Sequence, residues 1–230
     1  ATGSHSILYG MIADHVEAVD VLLADGSAAH FGAEAPSALP ALCRRGGLEG
    51  AIYRDLNAVA RDATPAIVAR WPSHWRRASG YNLDRLAAAL APPDRRSQFA
   101  GASRFRPAIC SPERRDTINL AQFLAGSEGT LAIFKTITLS LVPRPQRTAV
   151  AVIHFADLLA ACAAVTDVLE TEPSACELLD RQLLDLARRQ PEWARRLRFV
   201  EGDPAAVLLT EFYGASDAEL AAHMQRLAEH

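Results

Sequence analysis

From residue 15 the chain alternates apolar and polar positions through "HVEAVDVLLADGSAAHFG" (15–32), which predicts two strands joined at Asp25-Gly26. The Asp-Gly pair is a hairpin signal because such turns need positive φ. Residues 33–47 are rich in Ala, Pro and Gly and read as loop. Ile52, Leu56, Val59 and Ala60 then recur at helical spacing, predicting a helix over 48–71 with a break near Pro65. "NLDRLAAALA" (82–91) predicts a short helix ended by Pro92-Pro93, and 92–116 read as an irregular excursion. "DTINLAQFLAG" (116–126) predicts another, capped by Asp116 or Thr117 and terminated by Gly126. In "TLAIFKTITLSLV" (130–142) Ile137, Leu139 and Leu141 alternate with Thr136, Thr138 and Ser140. That period predicts a strand with one buried and one polar face.

"VPRPQ" (142–146) is the best linker in the chain, stiffened by two prolines, and a new pattern follows it. "TAVAVIHF" (148–155) predicts a strand and "ADLLAACAAVTDVLET" (156–171) a helix. After "SACELLDRQLLDLARR" (174–189), "AAVLLTEFYG" (205–214) predicts a strand and "DAELAAHMQRLAEH" (217–230) a helix. Strands and helices joined by short turns predict an α+β class, with helices on one face of an antiparallel sheet.

Length and composition add bounds. The 230 residues suffice for one large or two small domains with proper cores. Half the residues are hydrophobic and the net charge is −3, which points away from nucleic acid and anionic membrane partners. No apolar run reaches the roughly 18 residues of a membrane helix. Cys43, Cys110, Cys162 and Cys176 form no CxxC pair and no metal-like spacing with histidine, so they read as idle thiols of a reducing, cytoplasmic compartment. Basic residues are almost all arginine, with Lys135 the sole lysine. The chain opens on small polar residues without Met, which suggests an excised piece of something longer.

Two glycine-rich stretches carry the candidate chemistry. In "GSEGTLAI" (126–133) Glu128 stands between Gly126 and Gly129, just past a predicted helix end. A carboxylate there opposes the helix dipole and is best tolerated where it accepts hydrogen bonds, as from a ribose or another polyol. Read plainly, the stretch is a helix cap followed by a strand. In "ATGSHSILYG" (1–10), Thr2, Gly3, Ser4 and Ser6 precede Tyr9-Gly10, and such a run can form an anion-binding nest or be an ordinary loop. It matches neither GxxxxGK[ST] nor GxGxxG.

Together these pieces resemble a family. "TGSHSILYGMIADHVEAVDVLLADG" (2–26), "SGYNLDRL" (79–86) and "GSEGTLAI" follow the order of three signatures of vanillyl-alcohol-oxidase-type flavoenzymes. The subgroup they resemble is the FAD-linked oxidases and dehydrogenases of D-2-hydroxy acids such as D-lactate, glycolate and D-2-hydroxyglutarate. The 33–119 insertion resembles large bacterial members with an iron–sulfur module. The resemblance implies that 1–145 are the second lobe of a two-lobed FAD-binding domain, an antiparallel sheet with helices. It implies that 146–230 begin an α+β ferredoxin-like substrate-cap domain. It places Thr2, Gly3, Ser4, Ser6 and Gly10 against the FAD pyrophosphate and ribose, and Glu128 and Ile133, with Gly126 and Gly129, at the adenosine end. Gly80, Tyr81 and Asn82 would lie nearer the flavin ring.

The family's other FAD lobe, the rest of its cap and its histidine-rich catalytic segment have no counterpart in these residues. No catalytic residue is therefore assigned. "WARR" (193–196) imitates a family element in the wrong order, and the seven histidines lack a motif context. The expectation is an oxidoreductase whose isolated segment is inactive and binds FAD weakly or not at all. Its partners would be the remaining FAD lobe, the rest of the cap and a small hydroxy acid. The alternatives are a nucleotide-sugar reductase of the same superfamily and a non-catalytic α+β interaction module.

Overall fold

A computed structural model of the chain describes residues 3–72, 74, 76–77, 80–92, 95, 99 and 117–230. Thr2, Cys110, Asp116 and most of the 92–116 excursion lie outside the described residues. The chain divides into two compact units. Unit 1 holds Gly3 and the described part of 9–142; unit 2 holds 4–8 and 143–230.

The elements run α1 (Ser6–Tyr9), α2 (Ile12–His15), β1 (Val16–Leu22), β2 (Ala28–Phe31), β3 (Ala33–Glu34), α3 (Leu39–Cys43), α4 (Gly47–Arg70), α5 (Leu83–Leu90), β4 (Ile118–Asn119), α6 (Leu120–Leu124) and β5 (Ile133–Leu139). After the 142–146 linker come β6 (Arg147–Phe155), α7 (Leu158–Glu170), β7 (Ala175–Asp180), α8 (Arg181–Arg188), α9 (Pro191–Ala194), β8 (Ala206–Gly214) and α10 (Asp217–Glu229). Both larger sheets are antiparallel, so the fold is α+β.

In unit 1 the strand order is β2-β1-β5. The Asp25-Gly26 hairpin forms as expected, with Gly26 at φ 79° and Val19 opposite Phe31. Val16, Val19, Val21, Leu23 and Phe31 go into a core shared with Tyr53, Ala60 and Ile67 of α4, Leu86 of α5 and Leu120, Ala121 and Leu124 of α6. On the other face a cross-strand row joins His30 to Asp20 at 2.7 Å and the Thr136 hydroxyl to Asp20 at 2.6 Å. The Thr136 bond first, then His30, hold the Asp20 carboxyl below its ordinary range.

Four sequence expectations need correction. Residues 33–47 are not simply loop: β3 pairs with β4, and α3 follows a short 3-10 turn. Helix α4 does not break at Pro65 but runs through to Arg70. Pro65 and Arg61 are both exposed, so the carbonyl that proline leaves without its N–H partner is on the solvent side. Helix α6 starts later than expected, because 118–119 form a strand. Its cap is Asn119, whose side chain accepts from the Ala121 N–H at 2.9 Å and donates to the Glu17 carbonyl at 2.9 Å.

The fourth correction concerns β5. Its apolar face is not buried: Ile137 is 51% exposed and Leu139 42%, with Leu141 beyond the strand at 86%. β5 is an edge strand, and the helix packed on the adjacent β1, α6, has only five residues. At 1.5 Å per residue it extends roughly 7–8 Å and does not reach across β5. The alternation marked a face fit for burial, and this chain supplies little to bury it.

Unit 2 is built on β6-β8-β7, with β8 in the centre. Ala206, Val207, Leu208, Thr210 and Phe212 are essentially inaccessible. α7 packs on β7 and β8, and α10 on β6 and β8. Asp157, Asp180 and Ser216 cap α7, α8 and α10 through their side chains. The Phe212 ring stacks on His223 of α10 at 5.3 Å, so even-numbered β8 residues face that helix. Glu211 and Tyr213 point to the opposite face, where His5 meets them.

Candidate functional site

Unit 1 brings two of the sequence motifs into direct contact. Asn82, just before α5, donates from Nδ2 to the Gln122 carbonyl at 3.0 Å. The Tyr81 hydroxyl bonds to Thr130 Oγ1 at 2.8 Å, and its ring lies 5.6 Å from that of Phe123. Gly126 is where the two meet. A Cβ there would stand 2.5 Å from the Gly80 carbonyl oxygen and 3.1 Å from Asn82 Nδ2. Gly126 directly follows the C-cap of α6, as expected of a helix terminator, and it is also a close-approach glycine. α6 ends on Ala125 in right-handed geometry, and the Ser127 N–H returns to the Leu124 carbonyl at 2.9 Å.

The left-handed turn comes later, at Glu128 (φ 49°) and Gly129 (φ 80°). A non-glycine residue in that region costs roughly 1–2 kcal/mol. The Thr130 N–H and hydroxyl both donate to the Ser127 carbonyl, at 3.0 and 2.6 Å, and close the turn. Strain of this kind persists only where the surroundings over-determine it, as at ligand clamps.

Beside this turn lies a pocket of about 300 Å³, walled by Ile12, Val16, Val19, Leu124, Phe134 and Ile137, with Ser127, Glu128 and Gly129 at one end. Ser127 is 1% exposed, and its Oγ has no hydrogen-bond partner among the described residues. A buried hydroxyl left unpaired costs on the order of 1–3 kcal/mol, which a polar ligand would recover. The volume is at the low end for ligand sites and fits part of a dinucleotide rather than all of it. An adjacent hollow of about 440 Å³ is larger, but its only polar side-chain groups are Asp55 and Tyr81. It lacks the donors and acceptors a nucleotide needs.

The remaining candidates are more scattered. Gly80 is in the left-handed region at φ 81°, and Gly10 is buried at φ 77°. Gly3 is exposed, its carbonyl 3.4 Å from Arg76 Nη2. Ser4 and Ser6 belong to unit 2, and the buried Ser6 Oγ lacks a partner among the described residues. Ile133 pairs with Leu22 on β5 but does not line the pocket. Ser127 was missed by sequence reasoning, which singled out the charge beside it. The Gly-Ser-Glu-Gly run itself was the available signal. Arg196 pairs with Glu192 at 3.2 Å and lies over the Trp193 ring at 5.1 Å. Among the described residues no group of His, Cys, Asp and Glu side chains could hold a metal ion, and no helix is long and apolar enough to cross a membrane.

Residues 144–230 match the family model for the C-terminal domain of FAD-linked oxidases. The whole chain aligns, at 24% identity over 234 residues, with a D-2-hydroxyglutarate dehydrogenase of Pseudomonas putida. A second such dehydrogenase, from Pantoea ananatis, is 26% identical over 194 residues, or 84% of this chain. Residues 144–230 are thus similar to the C-terminal domain of FAD-linked oxidases. The matched oxidase domain corresponds to β6 onward, most of unit 2, whereas the pocket beside Ser127 is in unit 1. The chain spans 21% of the length of the Pseudomonas relative and 16% of the Pantoea relative.

Proposed function

We propose that this chain is part of an FAD-dependent oxidoreductase that oxidises a D-2-hydroxy acid. In this reading residues 1–145 supply one wall of the FAD site and residues 146–230 belong to a substrate-side cap. The observation that carries it is the buried, unpartnered hydroxyl of Ser127, a residue that lines a pocket together with Glu128 and Gly129. The donor set suits the nucleotide end of FAD. Ser127 Oγ can donate or accept, and the Glu128 carboxylate accepts from ribose hydroxyls. Gly126 and Gly129 keep the turn free of side chains, and Ile133 lies just beyond on β5. Gly80, Tyr81 and Asn82, fixed against this turn, continue the wall towards the flavin. Thr2, Gly3, Ser4, Ser6 and Gly10 supply backbone N–H groups and hydroxyls for the pyrophosphate.

FAD, when bound, supplies the hydride acceptor for oxidation of the substrate α-carbon. What these residues contribute is binding and orientation, and no catalytic base is assigned among them. The names of the relatives favour D-2-hydroxyglutarate, and the reading takes in the related D-lactate and glycolate. The reading includes an iron–sulfur module elsewhere in the polypeptide, an inactive isolated segment and a cytoplasmic setting. The last is supported by three free thiols, Cys43, Cys162 and Cys176.

The test uses the full-length protein carrying this segment. Its flavin content is measured first, then bleaching of the flavin absorbance by D-lactate, glycolate, D-2-hydroxyglutarate and the L-enantiomers of the two chiral acids. Bound flavin bleached by a D-acid and not by its L-form is expected. Ser127→Ala is expected to weaken FAD binding about tenfold, in line with the loss of a buried hydrogen bond. A protein without flavin, or flavin untouched by every D-hydroxy acid, would overturn the proposal.

A further inference from the structure

Residues 4–8 belong to unit 2, and His5 makes two of the contacts that tie them to it. His5 Nε2 lies 2.7 Å from Glu211 Oε2, and the imidazole stacks on the Tyr213 ring at 5.2 Å with an interplanar angle of 27°. Both partners project from the face of β8 opposite the one that meets α10. Glu211 is unusually well placed to act as an anchor. Its strand is paired on both sides, with Val150 of β6 and Ala175 of β7 opposite it. Its carbonyl accepts from both the N–H and the hydroxyl of Ser174, at 2.7 and 2.9 Å. The anchored segment is short and local: the Leu8 N–H closes a turn onto the His5 carbonyl at 3.0 Å. Inside it, Ser6 is buried with its hydroxyl unpartnered, while His5 and Glu211 keep partial exposure of 37% and 24%.

We infer that His5 is a positioning residue: through Glu211 and Tyr213 it latches residues 4–8 onto the face of the β6-β8-β7 sheet opposite α10 and so fixes the placement of Ser4 and Ser6. That this placement matters for FAD rests on the reading given under Proposed function; the latch itself does not. A histidine–carboxylate bond with one rigid partner holds a five-residue segment that has no strand pairing of its own. Ring stacking on Tyr213 sets the imidazole plane, so Nε2 is aimed rather than merely near.

The experiment uses full-length protein and four variants: His5→Ala, Glu211→Ala, the double variant, and His5→Gln, which keeps an N–H donor. Hydrogen exchange is read at the 5–8 amides, with the paired β6 and β8 amides as the folding control. FAD affinity is read from flavin fluorescence. Each alanine variant is expected to speed exchange at Leu8 about tenfold or more, with the β6 and β8 amides unchanged. The double variant should be no worse than either single one, and His5→Gln should fall within about twofold of the parent. FAD affinity should drop in parallel. Unchanged exchange at Leu8, or effects that multiply in the double variant, would overturn the latch. Faster exchange with unaltered FAD affinity would uphold the latch and remove this segment from the cofactor reading. Weaker FAD binding without faster exchange would do the reverse.

Discussion

The two larger antiparallel sheets of this chain each contain an apolar strand, and the two strands meet opposite fates. In β8, Leu208, Thr210 and Phe212 are shut in by flanking strands and helices. In β5, Ile133, Ile137 and Leu139 stand largely in solvent along a sheet edge. Intrinsic strand propensity does not separate them, for both are rich in β-branched and aromatic residues. What differs is coverage. β8 has a neighbour on each side and two long helices packed on it; among the described residues β5 has one strand neighbour and no long helix packed on it. A two-residue period reports a face that can be buried, and only the elements around it decide whether it is.

The sharpest way to break this contrast is to remove apolar bulk from each sheet. Phe212→Ala should destabilise unit 2 by about 3–5 kcal/mol, because a 1%-exposed ring stacked on His223 leaves a cavity. Ile137→Thr should change stability by no more than about 0.5 kcal/mol, as for an exposed site. Urea denaturation of this chain checks both. Equal losses would show that β5 is covered after all.

A middle-sized effect is expected where unit 1 holds its two motifs together. Gly126→Ala would press a methyl group against the Gly80 carbonyl and the Asn82 amide. The loop must then yield, at a cost of about 1–3 kcal/mol, and the Tyr81–Thr130 hydrogen bond should be lost with it. Denaturation midpoints, together with tyrosine fluorescence in the chain with and without the change, would report this. A neutral substitution would mean that the contact between the motifs is looser than its geometry indicates.

Much of this was legible in the residues, and the reasons differ by region. The 15–32 hairpin and the helix over 217–229 were readable because Asp25-Gly26 and the Ser216 cap act locally. The start of α6 was not, because Asn119 works partly through Glu17, 102 residues away in sequence. Pro65 misled because its cost depends on whether the orphaned carbonyl meets water, which only burial reveals. At the site, the glycines drew notice to 126–129, and the reason at Gly126 is close approach as well as helix termination. Its need is the approach of residues 80–82, a long-range fact. Ser127 and the His5–Glu211 pair were invisible for the same reason: a hydroxyl without a partner, and a partner 206 residues distant, are properties of the fold.

The smallest expected effect bears on the strained turn that borders the open sheet. Glu128 holds φ at 49°, a conformation that glycine adopts without penalty. Glu128→Gly should relieve about 1–2 kcal/mol of backbone strain. The same change adds about 0.4–1 kcal/mol of unfolded-chain entropy. The net is a gain of roughly 0.5–1 kcal/mol, visible as a small rise in the urea midpoint. Glu128→Asn tolerates the same φ and removes the charge without loosening the unfolded chain, so it separates strain from carboxylate. If the carboxylate serves the nucleotide, both variants should lower FAD affinity in the full-length protein while leaving the chain as stable or more so. A glutamate retained at a position that glycine would stabilise is then explained by binding. If both variants keep full affinity, the carboxylate has no part in the site, and Ser127 alone supplies its polar end.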